Sequence, residues 1–107
     1  MTALVRGHVI WFELGGLGRK PAVVVSNNAR NRALGSALVA RITTSPKPRL
    51  SSIVELGAAD PLIGRVLCDD LIEVYTEEVL KDAGAVSSAS LLAIENGLMH
   101  ALGVNQK

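Results

Sequence analysis

A proline followed by an unbroken apolar run is the feature that most constrains how this chain folds. Residues 22–25 are one alanine and three valines, and β-branched side chains favour a strand that is buried on both sides. Pro21 has no N–H to donate, so it is expected at the first residue of that strand. The residue before a proline is biased toward extended geometry. Lys20 is therefore expected at the mouth of a rigid strand, where a binding site is readily built; the alternative is a solvated lysine at a loop end.

Alternating apolar and polar side chains predict further strands along the chain. The predicted strands cover residues 6–14, 36–44, 51–56 and 65–75, in addition to the one that begins at Pro21. A short helix or a pair of turns is expected at 26–35, and a short helical turn within 76–83. Ser87 or Ser88 is expected to cap a terminal helix that ends near Leu102. This order predicts a mostly-β fold, a small and strongly bent antiparallel sheet that closes toward a barrel and carries a C-terminal helix.

The length of 107 residues indicates one domain, residues 1–107, large enough for a hydrophobic core. No apolar run approaches the ~18 residues that a membrane span needs, and the first residues lack the order of a signal peptide. Cys68 is the single cysteine, which rules out an internal disulfide. No cysteine or histidine spacing indicates a zinc site. We therefore expect a cytoplasmic protein that needs neither a metal ion nor another cofactor.

The basic residues are concentrated in one part of the chain although the net charge is only +1. Between Leu14 and Val54 there is no acidic residue, and the basic residues there are Arg19, Lys20, Arg30, Arg32, Arg41, Lys47 and Arg49. From Glu55 onward nine acidic residues face three basic ones. Such asymmetry can build a positive face that attracts phosphates; the alternative is a patchwork surface with no partner.

Three polar positions and one aromatic position stand out on the predicted strands. Alternation turns Arg41 and Thr43 to the same face of the third strand. The pair Asp69-Asp70 interrupts the strand 65–75, where a bulge or a strand end is expected. Trp11 is interpreted as a core or interface residue, because three aromatic residues are too few for base stacking to dominate binding.

The apolar faces of the first strand and the terminal helix together exceed what one small barrel covers, so self-association is expected.

Five segments, read in order, resemble the MazF/PemK/Kid family of toxin endoribonucleases from bacterial toxin–antitoxin pairs. The segments are RGHVIWFEL (6–14), KPAVVVSNNARN (20–31), ITTS (42–45), VLCDDL (66–71) and the closing helix that ends in ALG (101–103). The resemblance implies an SH3-like barrel, a homodimer with an RNA groove, and a cognate antitoxin as partner. It further implies metal-independent cleavage of single-stranded RNA, mainly mRNA, that leaves a 2′,3′-cyclic phosphate and a 5′-OH.

The resemblance also implies roles for individual residues. Thr43 matches the family's catalytic threonine and Lys20 its catalytic arginine, whereas Asp69 matches an acidic residue assigned to proton transfer in the Kid branch. Asn31 falls at a polar position near the groove. Two departures matter: the arginine before the proline is Lys20 here, with Arg19 one place earlier, and the first loop is short, so the general base stays open. The basic stretch then becomes the expected RNA-binding set, which comprises Arg19, Asn31, Arg30, Arg32, Arg41, Lys47 and Arg49.

Two further functions stay open at the level of the sequence. A CcdB-like gyrase poison has a similar barrel and no nuclease activity. Its contact with gyrase depends on a terminal Trp-Gly-Ile, whereas this chain ends in Gly-Val-Asn-Gln-Lys. The second alternative is a catalytically inactive relative that binds RNA or an antitoxin, which the lysine at position 20 makes conceivable.

Overall fold

A six-stranded antiparallel sheet and two helices make up the structure, a computed structural model that describes residues 3–104. The strands are β1 His8–Glu13, β2 Arg19–Val24, β3 Ser36–Thr43, β4 Ile53–Glu55, β5 Arg65–Tyr75 and β6 Val79–Ala85. The helices are α1 Asn28–Leu34 and α2 Ser88–Leu102, and a 3₁₀ turn spans Thr76–Glu78. The mostly-β fold with a C-terminal helix, predicted from the sequence, is confirmed.

The strands lie in the order β4-β5-β3-β2-β1-β6. Register shifts interrupt two of the ladders, and in β5 residues 68–70 have no partner on β3 between the pairs Ala40–Leu71 and Arg41–Leu67. The bulge expected near Asp69-Asp70 is therefore confirmed. Bulges increase the local twist and bend a sheet, so a short chain forms a strongly curved sheet rather than a flat one.

The short helical turn expected within residues 76–83 is present as the 3₁₀ turn at Thr76–Glu78, but the strand β6 that follows it was not predicted. Lys81, Asp82 and Gly84 break the alternation that would have indicated a strand. The strand forms because the outer backbone groups of β1 need partners, and β6 supplies them in a ladder with two register shifts. Charged residues in the middle of β6 suit a strand at the edge of the sheet.

Two separate hydrophobic clusters cover the two faces of the central strands. Neighbouring residues belong to different clusters: Val9 and Val23 to one, Ile10 and Ala22 to the other. The sequence-based argument for self-association is therefore corrected for the first strand, whose apolar side chains are covered within the chain. The terminal helix does leave Leu92 and Leu102 exposed, along with other large apolar side chains on the surface.

Helix α2 packs closely on the sheet at Gly97. A Cβ atom at Gly97 would lie 2.8 Å from Cys68 Sγ and 3.2 Å from the Ser51 carbonyl oxygen. The helix begins at Ser87, whose side chain accepts a hydrogen bond from the Ser90 N–H, and ends at Gly103 in the left-handed conformation. Both ends agree with the sequence-based expectation. Within residues 3–104, neither helix combines the length and the apolar composition that crossing a membrane requires.

The turn that follows β4 is fastened to the start of α2 by one carboxylate. Asp60 Oδ1 accepts the Ser87 N–H at 2.7 Å, and Oδ2 accepts the Ser90 hydroxyl at 2.6 Å and the Gly57 N–H at 2.7 Å. Partial burial alone would raise the pKa of Asp60, but the hydrogen bonds from Ser90, Ser87 and Gly57 outweigh it and lower the pKa below 3.8. The ionised form is thus stabilised in the folded chain.

This lowered pKa predicts a stability loss in acid. Because the folded-state pKa is below the unfolded-state pKa, the contribution of Asp60 is fully present above about pH 4 and disappears as the pH falls through the folded-state pKa. We expect Asp60→Asn to reduce the free energy of unfolding by roughly 1–3 kcal/mol near neutral pH and by much less in acid. Urea denaturation at several pH values measures this. The control is Asp69→Asn, an exposed carboxylate; equal losses for both variants would contradict the interpretation.

Candidate active site

A cleft of about 510 Å³ lies where β1, β2 and β3 reach one end of the sheet. Residues 62 and 63 of the turn before β5 form part of its wall. The polar and aromatic side chains along the cleft are Trp11, Arg19, Lys20, Arg41, Thr43, Thr44 and Ser45. The structure therefore brings together four of the residues singled out from the sequence, Arg19, Lys20, Arg41 and Thr43.

Lys20 and Thr43 meet because of the pairing between β2 and β3. The ladder pairs Ala22 with Arg41 and Val24 with Val39, and this register, extended by two residues, sets Lys20 opposite Thr43. Side chains directly opposite on an antiparallel pair have Cβ atoms about 5 Å apart. Among the residues that the structure describes, the Lys20 ammonium has neither an ion-pair nor a hydrogen-bond partner. It is free to meet an anion.

The Thr43 hydroxyl already has one defined contact. Its Oγ1 accepts the Ser45 N–H at 3.1 Å, which fixes the position of the oxygen and leaves the hydroxyl hydrogen available for a ligand. The backbone beside it is tightly confined: a Cβ atom at Gly64 would lie 2.9 Å from the Thr43 carbonyl oxygen. Gly64 also has φ +141°. Glycine at this position therefore allows the turn to press against the end of β3.

Arg41 is held at the cleft by an acidic residue of the β5 bulge. Its NH1 lies 3.3 Å from Asp70 Oδ2, so Asp70, rather than the predicted Asp69, is the carboxylate that touches a cation of the cleft. The Nε of Arg41 is buried without a hydrogen-bond partner among the described residues. An unsatisfied buried donor costs free energy and calls for an explanation, which a binding site provides.

Arg19 lies over the indole ring of Trp11, with the guanidinium carbon 5.6 Å from the ring centroid. This distance is within the range of a cation–π interaction. The contact holds the Arg19 side chain against the cleft that Lys20 also lines. Trp11, which the sequence analysis assigns to the core or an interface, is half-buried and lines the cleft.

A second basic cleft, of about 640 Å³, adjoins the first along the loop after β3. Lys47 and Arg49, predicted from the sequence, lie in its wall with Arg65 and Glu55. Arg65 NH1 also reaches the Ser45 carbonyl oxygen at 3.5 Å, so it connects the two clefts. The basic surface thus continues from Lys20 to the loop at residues 45–50.

Three of the predicted RNA-binding residues lie elsewhere, on α1. Arg30 NH1 donates to the Ser36 carbonyl oxygen at 2.8 Å, and its NH2 lies 3.4 Å from Glu73 Oε2. Asn31 is buried, and its amide nitrogen donates to the carbonyl oxygens of Leu4 and Ser26. Arg32 is exposed on the same helix and does not line the cleft at Lys20. The contacts of Arg30 and Asn31 hold α1 on the sheet.

Asp69 is exposed on β5 and does not line the cleft either. Burial of Cys68 next to it, together with the negative charge of Asp69, raises the pKa of the thiol to about 11. At neutral pH this cysteine is a protonated core residue and not a nucleophile. Within residues 3–104 no group of three or more His, Cys, Asp or Glu side chains is arranged to hold a metal ion.

Comparisons with known proteins define the family. Residues 5–102 match the model of the PemK-like, MazF-like toxins of type II toxin–antitoxin systems. The chain is 36% identical over 104 residues to a protein named endoribonuclease MazF4 of Mycobacterium tuberculosis, with 97% of each chain covered. It is 35% identical over 97 residues to one named probable endoribonuclease MazF5 of the same species. The chain therefore belongs to the PemK-like, MazF-like toxin family.

Solved structures agree with this assignment. A mycobacterial endoribonuclease in complex with its cognate antitoxin superimposes with a TM-score of 0.90 at 35% identity, covering 96% of this chain and 98% of the other. The MazE–MazF structure of Deinococcus radiodurans gives a TM-score of 0.84 at 24% identity over 98% of this chain and all of the other, which supports the fold. The family resemblance stated from the sequence is confirmed, and the gyrase-poison alternative is not favoured.

Gly64 provides a test of how the cleft is built. We expect Gly64→Ala to destabilise the fold by roughly 1–3 kcal/mol and to shift the amide signals of residues 43 and 44, because the added methyl group meets the Thr43 carbonyl oxygen. Gly18→Ala is the matched control: Gly18 has φ +84°, but its Cβ would meet no atom within 4 Å. Urea denaturation and NMR measure both effects. Equal losses and no shift at residue 43 would mean that the close contact plays no part.

Proposed function

We propose that this protein is the toxin of a toxin–antitoxin pair and acts as a sequence-specific endoribonuclease on single-stranded RNA, mainly mRNA. The observation that carries the proposal is the meeting of Lys20, Thr43 and Arg41 in one cleft of a chain that belongs to this toxin family. The relatives named endoribonuclease support the activity. A cytoplasmic location follows from the proposed substrate.

The proposed reaction uses the RNA's own 2′-hydroxyl as nucleophile. Its oxygen attacks the adjacent phosphorus, the bond from phosphorus to the 5′-oxygen of the next nucleotide breaks, and a 2′,3′-cyclic phosphate and a 5′-OH result. The 2′-hydroxyl loses its proton to a base, and the leaving 5′-oxygen gains one. Metal ions are not required by this scheme, because the charge that develops on the phosphate can be met by protein cations and hydroxyl donors.

Thr43 and Lys20 are the residues proposed to stabilise that charge. The Thr43 hydroxyl is anchored by the Ser45 N–H, so its hydrogen can point to a non-bridging phosphate oxygen. A donor of this kind is typically worth about 3 kcal/mol in the transition state. Lys20 contributes a point charge where arginine would give a planar fork. Arg41 lies in the same cleft and can offer guanidinium N–H donors to the phosphate, while the ion pair with Asp70 offsets its charge.

The residue that accepts the proton of the 2′-hydroxyl is the least defined part of the scheme. Asp69, proposed from the resemblance, could accept it or could hydrogen-bond a base edge. Asp69 is exposed, which suits a contact with a base of bound RNA. Asp70 is the carboxylate nearer to the cleft, but its charge is engaged with Arg41.

We propose two protein partners, a second copy of the chain and a cognate antitoxin. The relative solved with its cognate antitoxin matches nearly the whole chain, which supports the antitoxin. The exposed apolar side chain of Ile63, which lines the cleft, and that of Leu17 in the turn before β2 support a protein partner.

The direct test is incubation of the purified protein with a long single-stranded RNA in the presence of EDTA. We expect discrete cuts with cyclic phosphate ends.

Thr43→Val keeps the branched shape and removes the hydroxyl, so cleavage should fall by a factor on the order of 100 or more while RNA affinity and melting temperature barely change. Lys20→Ala should behave alike, and Lys20→Arg should retain activity. A Thr43→Val protein that cuts at the parent rate would end the site assignment; RNA left intact by the parent would end the proposed nuclease.

The second test concerns the basic surface. We expect Lys47→Ala and Arg49→Ala each to weaken RNA binding for many sequences and to flatten the salt dependence by roughly one ion. Arg30→Gln is the contrast, because the guanidinium is already engaged with Ser36 and Glu73; we expect it to affect stability and not the salt slope. Arg32→Ala reports whether the RNA contact extends to α1. Unchanged slopes for both loop variants would mean that this loop is ordinary solvated surface.

A further inference from the structure

A third cleft continues from the candidate active site along the other side of Trp11. It has a volume of about 580 Å³ and is lined by Trp11, Arg19, Pro61, Leu62, Lys81, Asp82 and Ala83. Trp11, Arg19 and Leu62 also line the cleft that contains Lys20 and Thr43. The two clefts therefore meet at the indole ring, and a ligand that fills both must pass along it.

The strand pairing fixes where the ring lies. Trp11 stands opposite Pro21 on β2 and opposite Lys81 on β6, so rigid strands hold it on both sides. Pro21 directly follows Lys20, the cation of the candidate active site. Adjacent residues on a strand point to opposite faces, so the indole shares its face with Pro21 and not with Lys20. Trp11 and Lys20 nevertheless line the same cleft at the end of the strands, and a group stacked on Trp11 would reach the phosphate that Lys20 is proposed to bind through that cleft.

The chemistry around the ring suits a nucleobase. Arg19 lies over one face of the indole, so a base would stack on the other face, in a cleft whose apolar lining includes Pro61 and Leu62. The indole N–H has no hydrogen-bond partner among the described residues and is not one of their buried unsatisfied groups, so it can donate to a ligand. Lys81 is exposed beside it.

The charges of this cleft favour an anionic ligand over a basic peptide segment. The one carboxylate of this cleft, Asp82, is already engaged: its oxygens lie 2.9 and 3.1 Å from His8 Nδ1, and Oδ1 accepts the Gly84 N–H at 2.8 Å. Arg19 and Lys81 have no such anionic partner within residues 3–104. What remains is an aromatic platform flanked by two cations, the combination that single-stranded nucleic acids bind.

We propose that Trp11 is the stacking platform for one nucleobase next to the cleaved phosphate, and that it thereby sets the register of the RNA in the active site. This inference rests on the proposed nuclease function and adds a subsite to it. Purines should be preferred there, because their larger π-face stacks more strongly and stacking is the basis of selectivity at this subsite.

Fluorescence offers a clean assay because Trp11 is the single tryptophan of the chain. The probe is a nine-nucleotide RNA that spans a mapped cleavage position, with a 2′-deoxynucleotide at the scissile bond so that it cannot be cut. We expect the RNA to quench the Trp11 emission of the parent protein. A set of probes with one abasic nucleotide each should contain one position that removes the quenching and weakens binding roughly 5- to 100-fold.

Variants identify the platform by a double-mutant cycle. Trp11→Ala should weaken binding of the intact probe by a similar factor, and the critical abasic nucleotide should then cause no further loss. Trp11→Phe should retain most of the affinity, and Trp11→Ala should lose the base preference at that one position in mapped 5′ ends. The abasic series with the parent protein needs no variant, so it decides the matter even if Trp11→Ala folds poorly.

The outcomes separate this inference from the function on which it rests. If the parent protein cuts RNA but no abasic position changes the quenching, the platform is wrong and the nuclease stands. Emission that depends on protein concentration and not on RNA would place Trp11 in a subunit interface, and loss of antitoxin binding alone would assign the cleft to a peptide; either result overturns the proposal. If the parent protein neither cuts nor binds RNA, the proposed function fails and the platform with it.

Discussion

The pairing of β2 with β3 is the interaction on which the site depends. In that ladder, which runs from Val24–Val39 to Ala22–Arg41, every side chain except Arg41 is buried, and a shift of one residue would turn each of them to the opposite face of the sheet. The hydrophobic core therefore fixes the register, and the register in turn fixes which polar residues meet where the two strands reach the cleft. Lys20 and Thr43 therefore lie opposite each other because the buried valines of the two strands fix the register.

Much of the fold could be read from the sequence because its signals are local. The valine run, the alternation in β3 and β5, and the caps Ser87 and Gly103 are decided by short-range chemistry. β6 could not be read in this way. Its sequence carries no clear alternation, and it becomes a strand only because β1 has an edge that needs hydrogen-bond partners. That requirement is a property of the assembled sheet and not of residues 79–85.

The residues of the candidate site also separate into those that local sequence signals predict and those that only the assembled sheet determines. Thr43, Lys20 and Arg41 lie on strands whose direction could be predicted, and the structure brings them together. Asp70 could not be separated from Asp69, because a bulge changes which side chain faces the neighbouring strand and its position is set by the partner. Arg30 is a cation of the kind that binds RNA, yet its guanidinium is partly buried and bonded to Ser36 and Glu73. Trp11 could not be assigned from its hydrophobicity alone, since the same side chain serves a core or a cleft.

The carboxylate of Asp60 connects the turn after β4, which forms part of the cleft wall, with the start of helix α2. It fastens the segment that contributes Leu62 and Ile63 to the cleft wall to the first turn of α2. Undocking of that helix would release the wall, so the intact cleft belongs to the same cooperative unit as the C-terminal helix. A molecule that bound the undocked helix would therefore inactivate the protein. It would not occupy the cleft and would not compete with the ligand of the cleft.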